Sequence, residues 1–177
     1  KVLKTAFEEA QVNIAWKIPK FDHRDIPALD VLALILGQGD SSRLMHRLRL
    51  EKPLVNNVSA SSFTPFDPGF FAVSMSLVRE NLDVALAALI EELYHILSSP
   101  PQPEELAKAV MNLASEEFYS METVDGMART FGSYEHHYGD YKYFNQIMKA
   151  VHGLRPVDIL AVARKYLRPE TMTVTMT

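Results

Sequence analysis

The sequence predicts an α+β domain in which helices pack on one face of a mixed, mainly antiparallel sheet. Three observations predict it. Apolar residues alternate with polar ones at Gln11–Ile18 and again at Phe71–Leu77, which is the period of a half-buried strand. Between these strands and the C-terminus, apolar residues recur at three- and four-residue steps, which is the period of amphipathic helices. The elements run strand, two helices, strand pair, a group of helices, strand, and that order belongs to α+β folds.

In the first strand Val12, Ile14, Trp16 and Ile18 share one face, and Pro19 ends it. Ala28 to Leu36 is apolar nearly all round, with Asp25 as a possible cap, Pro27 in the first turn and Gly37 as its stop, so it reads as a buried helix. Gly37 and Gly39 allow a tight turn, after which Asp40, Ser41 or Ser42 can cap a basic helix from Arg43 to about Glu51, broken by Pro53. Val58–Phe63 and the strand carrying Phe71, Val73, Met75 and Leu77 flank Pro65-Phe66-Asp67-Pro68-Gly69 and form an antiparallel pair.

Leu82, Ala85, Leu86, Leu89, Ile90, Leu93 and Leu97 define a long helix that ends before Pro100. Helices follow at about Pro103–Met121, with Leu106, Val110, Leu113, Ala114, Glu117 and Phe118 in register, then at Val124–Tyr138, Tyr143–His152 and Pro156–Leu167. Thr171–Thr177 closes the chain as a strand with Met172, Val174 and Met176 on one face. The expected meeting surface of sheet and helices is Val12, Ile14, Trp16, Phe71, Val73, Met75, Leu86, Leu89, Leu93, Met172 and Val174.

At 177 residues with 47% hydrophobic content, one domain with a real core is expected over 1–177. A net charge of -4 from 18 basic and 22 acidic side chains gives no cationic field for nucleic acid or an anionic membrane. The sequence has no cysteine, which excludes disulfides and thiolate metal sites and leaves the compartment open. No apolar run reaches spanning length, so no membrane span and a soluble domain, cytoplasmic or periplasmic, are expected. Lys1-Val2-Leu3-Lys4 lacks the apolar core of a signal peptide, and an opening Lys close to a strand points to a segment of a longer or processed protein.

Motifs for catalysis are missing. A zinc-hydrolase helix of the H-x-x-E-H or H-E-x-x-H kind is absent; the nearest approach is Glu91-Glu92-Leu93-Tyr94-His95, with Glu in place of the first His. Glu91 and His95 read better as an exposed i,i+4 pair worth roughly 0.2–0.5 kcal/mol. Glu135, His136 and His137 are the densest set of potential ligands, but adjacent helical side chains point about 100° apart, so a structural surface is the better reading. His23, His46 and His152 stand alone. Gly37-Gln38-Gly39-Asp40-Ser41-Ser42 lacks the Lys-Ser/Thr of a phosphate loop, and its glycines are read as helix punctuation.

One segment carries family character. Leu36-Gly37-Gln38-Gly39-Asp40-Ser41-Ser42-Arg43-Leu44 runs on through Leu48-Arg49-Leu50-Glu51-Lys52-Pro53-Leu54-Val55-Asn56 into Val58-Ser59-Ala60. It resembles the G-G-x-x-S-S-R-L and L-R-E-K-x-G-L-x-Y-x-V strings of the pitrilysin/insulinase metallopeptidases, which include the mitochondrial processing peptidases, and specifically their non-catalytic C-terminal domain. The resemblance covers essentially the whole chain and implies the sheet topology of that domain. It further implies half of a peptide-enclosing chamber, a zinc-bearing homologous domain or subunit as partner, a peptide substrate, and no catalytic or metal-binding residue in this chain. The parent protein would be a zinc-dependent metalloendopeptidase and this chain alone not catalytic.

By the same resemblance Arg49 matches an Arg that contacts substrate backbone near the scissile carbonyl, and Asn56 occupies the position of its partner Tyr. Pro53 replaces the family's Gly. Asn56 is shorter and lacks a phenol, which favours an alternative, a catalytically inactive scaffold or partner subunit of the same family. A free-standing metalloenzyme built on Glu135, His136 and His137 is the third reading.

Overall fold

Val12, Ile14, Trp16 and Ile18 are all buried in strand β1 (Glu9–Ile18), while Glu9, Gln11, Asn13 and Lys17 are exposed. The computed structural model describes residues 9–177, so the reading of Lys1-Val2-Leu3-Lys4 lies outside the described residues. β1 pairs on one side with β3 (Gly69–Val78) and on the other with β4 (Met172–Met176), and β2 (Asn57–Phe63) completes the order β2-β3-β1-β4. All three pairings are antiparallel, so the sheet of the described residues has no parallel component.

Register fixes the faces. Val12 opposes Met75, Ile14 opposes Val73 and Trp16 opposes Phe71, so the buried set forms one continuous apolar surface. β2 adds Val58 and Ala60 to it. The opposite face carries Asn13, Lys17, Ser59, Ser74 and Ser76, with Phe63 and Phe70 paired at one end.

The described residues form six α-helices, α1 (Ile26–Gly37), α2 (Leu82–Ser98), α3 (Pro103–Ser120), α4 (Val124–Tyr138), α5 (Tyr143–His152) and α6 (Pro156–Tyr166), of which α1, and to a smaller extent α6, packs directly on the apolar face. α1 is buried at every residue except Asp30 and touches β2, β3, α3, α5 and α6, so it is the spine between the sheet and the outer helices. Its last residue explains its composition. A Cβ on Gly37 would lie 2.1 Å from the backbone nitrogen of Ala60 in β2, so glycine is needed for close approach. Gly39, at φ 80°, makes the turn itself.

Several expectations are corrected. Asp25 does not cap α1; its carboxylate accepts from Lys165 Nζ at 2.6 Å and Tyr166 Oη at 2.8 Å, tying the start of α1 to α6. His23 is not without a partner, because its Nδ1 accepts from the Asp25 backbone at 3.1 Å. The inward stripe of α2 is Ala85, Ala88, Leu89, Leu93 and Ile96; Leu86 is half-buried and Ile90 is exposed. Phe118 of α3 is also exposed. β4 is exposed along its whole length, although Met172, Val174 and Met176 oppose Trp16, Ile14 and Val12. Their side chains lie on the helix side of the sheet, but among the described residues no helix covers this edge enough to bury them.

Candidate functional site

The chain after α1 turns at Gly39, becomes helical at Arg43 and continues as a π-helix over Met45–Glu51. Ser42 is buried but does not accept from the helix N-H groups: its hydroxyl donates to the Gly39 carbonyl at 2.8 Å, while its own carbonyl accepts the His46 N-H at 2.9 Å. Ser41 Oγ accepts from Lys108 Nζ of α3. Leu44, Met45 and Leu48 anchor the helix in the core. A π run of this length departs from the regular helix expected, and such widened turns concentrate at functional sites.

The basic residues of this helix have different fates. Arg43 makes a two-pronged bond to Glu105 of α3, 2.6 Å and 2.8 Å, and lies 3.5 Å from Glu92 of α2. Those bonds hold the Arg43 guanidinium above its usual pKa even though burial pushes it down. Arg47 pairs with Glu51 at 3.2 Å and with Glu91 at 3.3 Å. Arg49 is exposed and meets no carboxylate among the described residues; its nearest polar contact is the Met45 sulfur at 3.9 Å. It sits in the last turn, where the helix dipole favours a cation.

Asn56 follows buried Val55 and leads into β2. Its backbone N-H donates to Ser76 at 2.8 Å, fixing it at the edge of the sheet, and its side-chain amide donates to Glu9 Oε1 at 2.6 Å. Arg49 and Asn56 are thus both solvent-facing, on a segment locked between sheet and helices by Leu48, Val55 and the Arg43 clamp. The clamp was not legible in the sequence. Glu105 lies 62 residues from Arg43, so nothing local announces the pair.

Neither candidate metal cluster assembles. Glu91 and His95 lie 4.0 Å apart as an exposed helical pair, and Glu91 is shared with Arg47. Glu135 accepts the Tyr141 backbone N-H at 3.0 Å, His137 Nδ1 is 2.8 Å from the Ser133 carbonyl, and His136 packs edge-on to Phe66. Among the described residues no three His, Asp or Glu side chains converge as a zinc ion requires. The donor set of the described residues therefore does not fit zinc.

Residues 1–113 match the model of the peptidase M16 inactive domain. The chain belongs to that family. The pitrilysin/insulinase resemblance is borne out, as is the α+β class. The zinc protease PqqE of Helicobacter pylori is 26% identical over 166 residues, covering 92% of this chain and 36% of the relative. A crystal structure of a protease from Helicobacter pylori superposes with TM-score 0.86 at 24% identity, over 98% of this chain and 42% of that one. An inactive peptidase domain from Bordetella parapertussis superposes at TM-score 0.84 and 23% identity, over 100% of this chain and 96% of its own. The chain spans about a third of the length of the curated relatives it matches. No described helix is long and apolar enough to cross a membrane.

Proposed function

We propose that this chain is, over 1–177, the single zinc-free C-terminal domain of a zinc metallopeptidase, forming half of a peptide-enclosing chamber. A homologous domain or subunit carries the zinc, and Arg49 with Asn56 contacts the peptide. The observation that carries this reading is the contrast between Arg49 and its neighbours. Arg43 and Arg47 are consumed by carboxylates of α2, α3 and the π-helix itself, whereas Arg49 meets no carboxylate among the described residues and projects from a helix anchored in the core.

A guanidinium held in this way can donate to a peptide carbonyl without the cost of first breaking an ion pair, and it favours the oxygen most when negative charge gathers there. Asn56 can donate only through a short amide, one of whose two N-H groups is already engaged with Glu9. Its contribution to a substrate is accordingly weaker than that of a phenol reaching further out.

The experiment is reconstitution with the zinc-bearing domain and assay of peptide cleavage. Arg49→Ala lowers kcat with little change in KM, by an amount equivalent to about 2.7–4 kcal/mol, and Asn56→Tyr raises turnover. Unchanged turnover in both variants of an active assembly would reduce Arg49 to a surface charge. Lack of activity with every zinc-bearing partner would instead favour the inactive scaffold subunit.

A further inference from the structure

A groove of about 420 Å³ opens where the end of α3 meets α4, and it shares no lining residue with the Arg49 and Asn56 segment. Phe21, Tyr134 and Tyr138 wall it, and Glu117 projects into its lining. Tyr134 begins a ladder of rings: it stacks on Tyr138 at 5.7 Å and 21°, and Tyr138 stacks on Tyr143 at 4.1 Å and 18°. Glu117 is half-buried, yet among the described residues its carboxylate has neither a hydrogen bond nor a cation. Behind it, Asp30 of α1 accepts from the Ser62 hydroxyl and adds a second carboxylate to the same neighbourhood.

Among the described residues, the basic side chains that line the groove have other partners. Arg129 Nη2 lies 2.5 Å from Asp125, and His137 is held at the Ser133 carbonyl with its ring stacked on Phe66 at 4.8 Å. Burial pushes the Glu117 carboxyl above its usual pKa, and nearby Glu116 adds to the rise, as expected of an acid whose counter-charge is missing. An acid in an aromatic-walled groove selects a particular chemistry. A guanidinium is planar, weakly hydrated, stacks on tyrosine faces and binds a carboxylate through two parallel N-H groups.

We propose that this groove binds a guanidinium group, with Tyr134, the end rung of the ladder, as its aromatic wall and Glu117 as its anion. The group comes either from an arginine side chain of a polypeptide or from a free small guanidine. The site does not depend on a zinc-bearing partner.

The test is two-dimensional amide NMR of the chain titrated with agmatine, with acetyl-Gly-Arg-Gly-amide, and with the same peptide carrying neutral citrulline. Agmatine or the arginine peptide shifts amides of 117–120 and 129–138, the citrulline peptide does not, and Glu117→Gln weakens binding at least tenfold. Glu116→Gln, on the exposed neighbour, leaves binding unchanged. Shifts with agmatine alone identify a free guanidine as the ligand, and shifts with the peptide identify an arginine side chain. Equal shifts with citrulline, unchanged affinity in Glu117→Gln, or no shifts with any probe would each overturn the proposal.

Discussion

Asp30 interrupts an otherwise buried helix, and its surroundings work against its charge. Burial, with a smaller push from Glu117, raises its carboxyl to about 6, while the Ser62 hydroxyl pulls the other way. The folded chain therefore binds a proton that the unfolded chain, with its ordinary lower pKa, does not. Between the two values the folded state holds more protons, so stability falls as pH rises through that window. A melting temperature that climbs from about pH 7 to about pH 5 is expected from this group, and Asp30→Asn should flatten the climb; an unchanged slope in the variant would place the effect elsewhere. Gly37 is a second position governed by contact. The sequence marked it as a turn glycine, but it is helical, and its need is space beside Ala60. Gly37→Ala should destabilise by roughly 1–3 kcal/mol, whereas Gly39→Ala should act through its positive φ alone, a difference visible in denaturant melts. The Arg43 clamp is testable in the same way, with a loss of roughly 1.5–3 kcal/mol for Arg43→Ala.

Elements were legible wherever a local signal marked them. Val124–Tyr138 and Tyr143–His152 match the expected bounds of α4 and α5, because Thr123 caps the first by accepting the Gly126 N-H at 3.0 Å and Gly139 ends it in a left-handed turn. The faces of β1 and β3 followed from strict alternation. What failed needed knowledge of neighbours. α2 has apolar residues on more than one stripe, and only its packing on α6 and the π-helix decides that Ile96 turns inward and Ile90 outward. β4 alternates well but lies at the sheet edge, beyond the helices. The π-helix has no sequence signature, since wider turns use the same apolar residues. Leu89→Ala, in the core, should cost roughly 2–5 kcal/mol, and Lys17→Ala on the open face should stay within about 0.5. Val174→Ala should fall near the second value despite its inward direction, as chemical denaturation would show; a loss equal to that of Leu89→Ala would mean that β4 is covered in solution.

The molecule as a whole divides its labours: the helices and one sheet face build the core and hold the segment of Arg49 and Asn56 between them, and the other sheet face stays open. That arrangement was partly readable, because the apolar pattern announced one buried sheet face, while the site residues rested on the Leu36–Asn56 strings and their supports at Glu105 and Glu92 did not show. The pairing of β1 with β4 has a further consequence. Gln11 and Thr177 exchange both backbone bonds at 3.0 Å, so the first described strand is completed by the last. During synthesis β2 and β3 can close as a neighbouring hairpin, but β1 keeps one bare edge until every helix has been made. Loop closure over almost the entire chain slows the final step and leaves an adhesive strand waiting. Deleting residues 172–177 should make that wait permanent, giving assembly through β1 that light scattering detects; a truncated chain that stays monomeric and refolds at the original rate would show that β4 only decorates a sheet already finished.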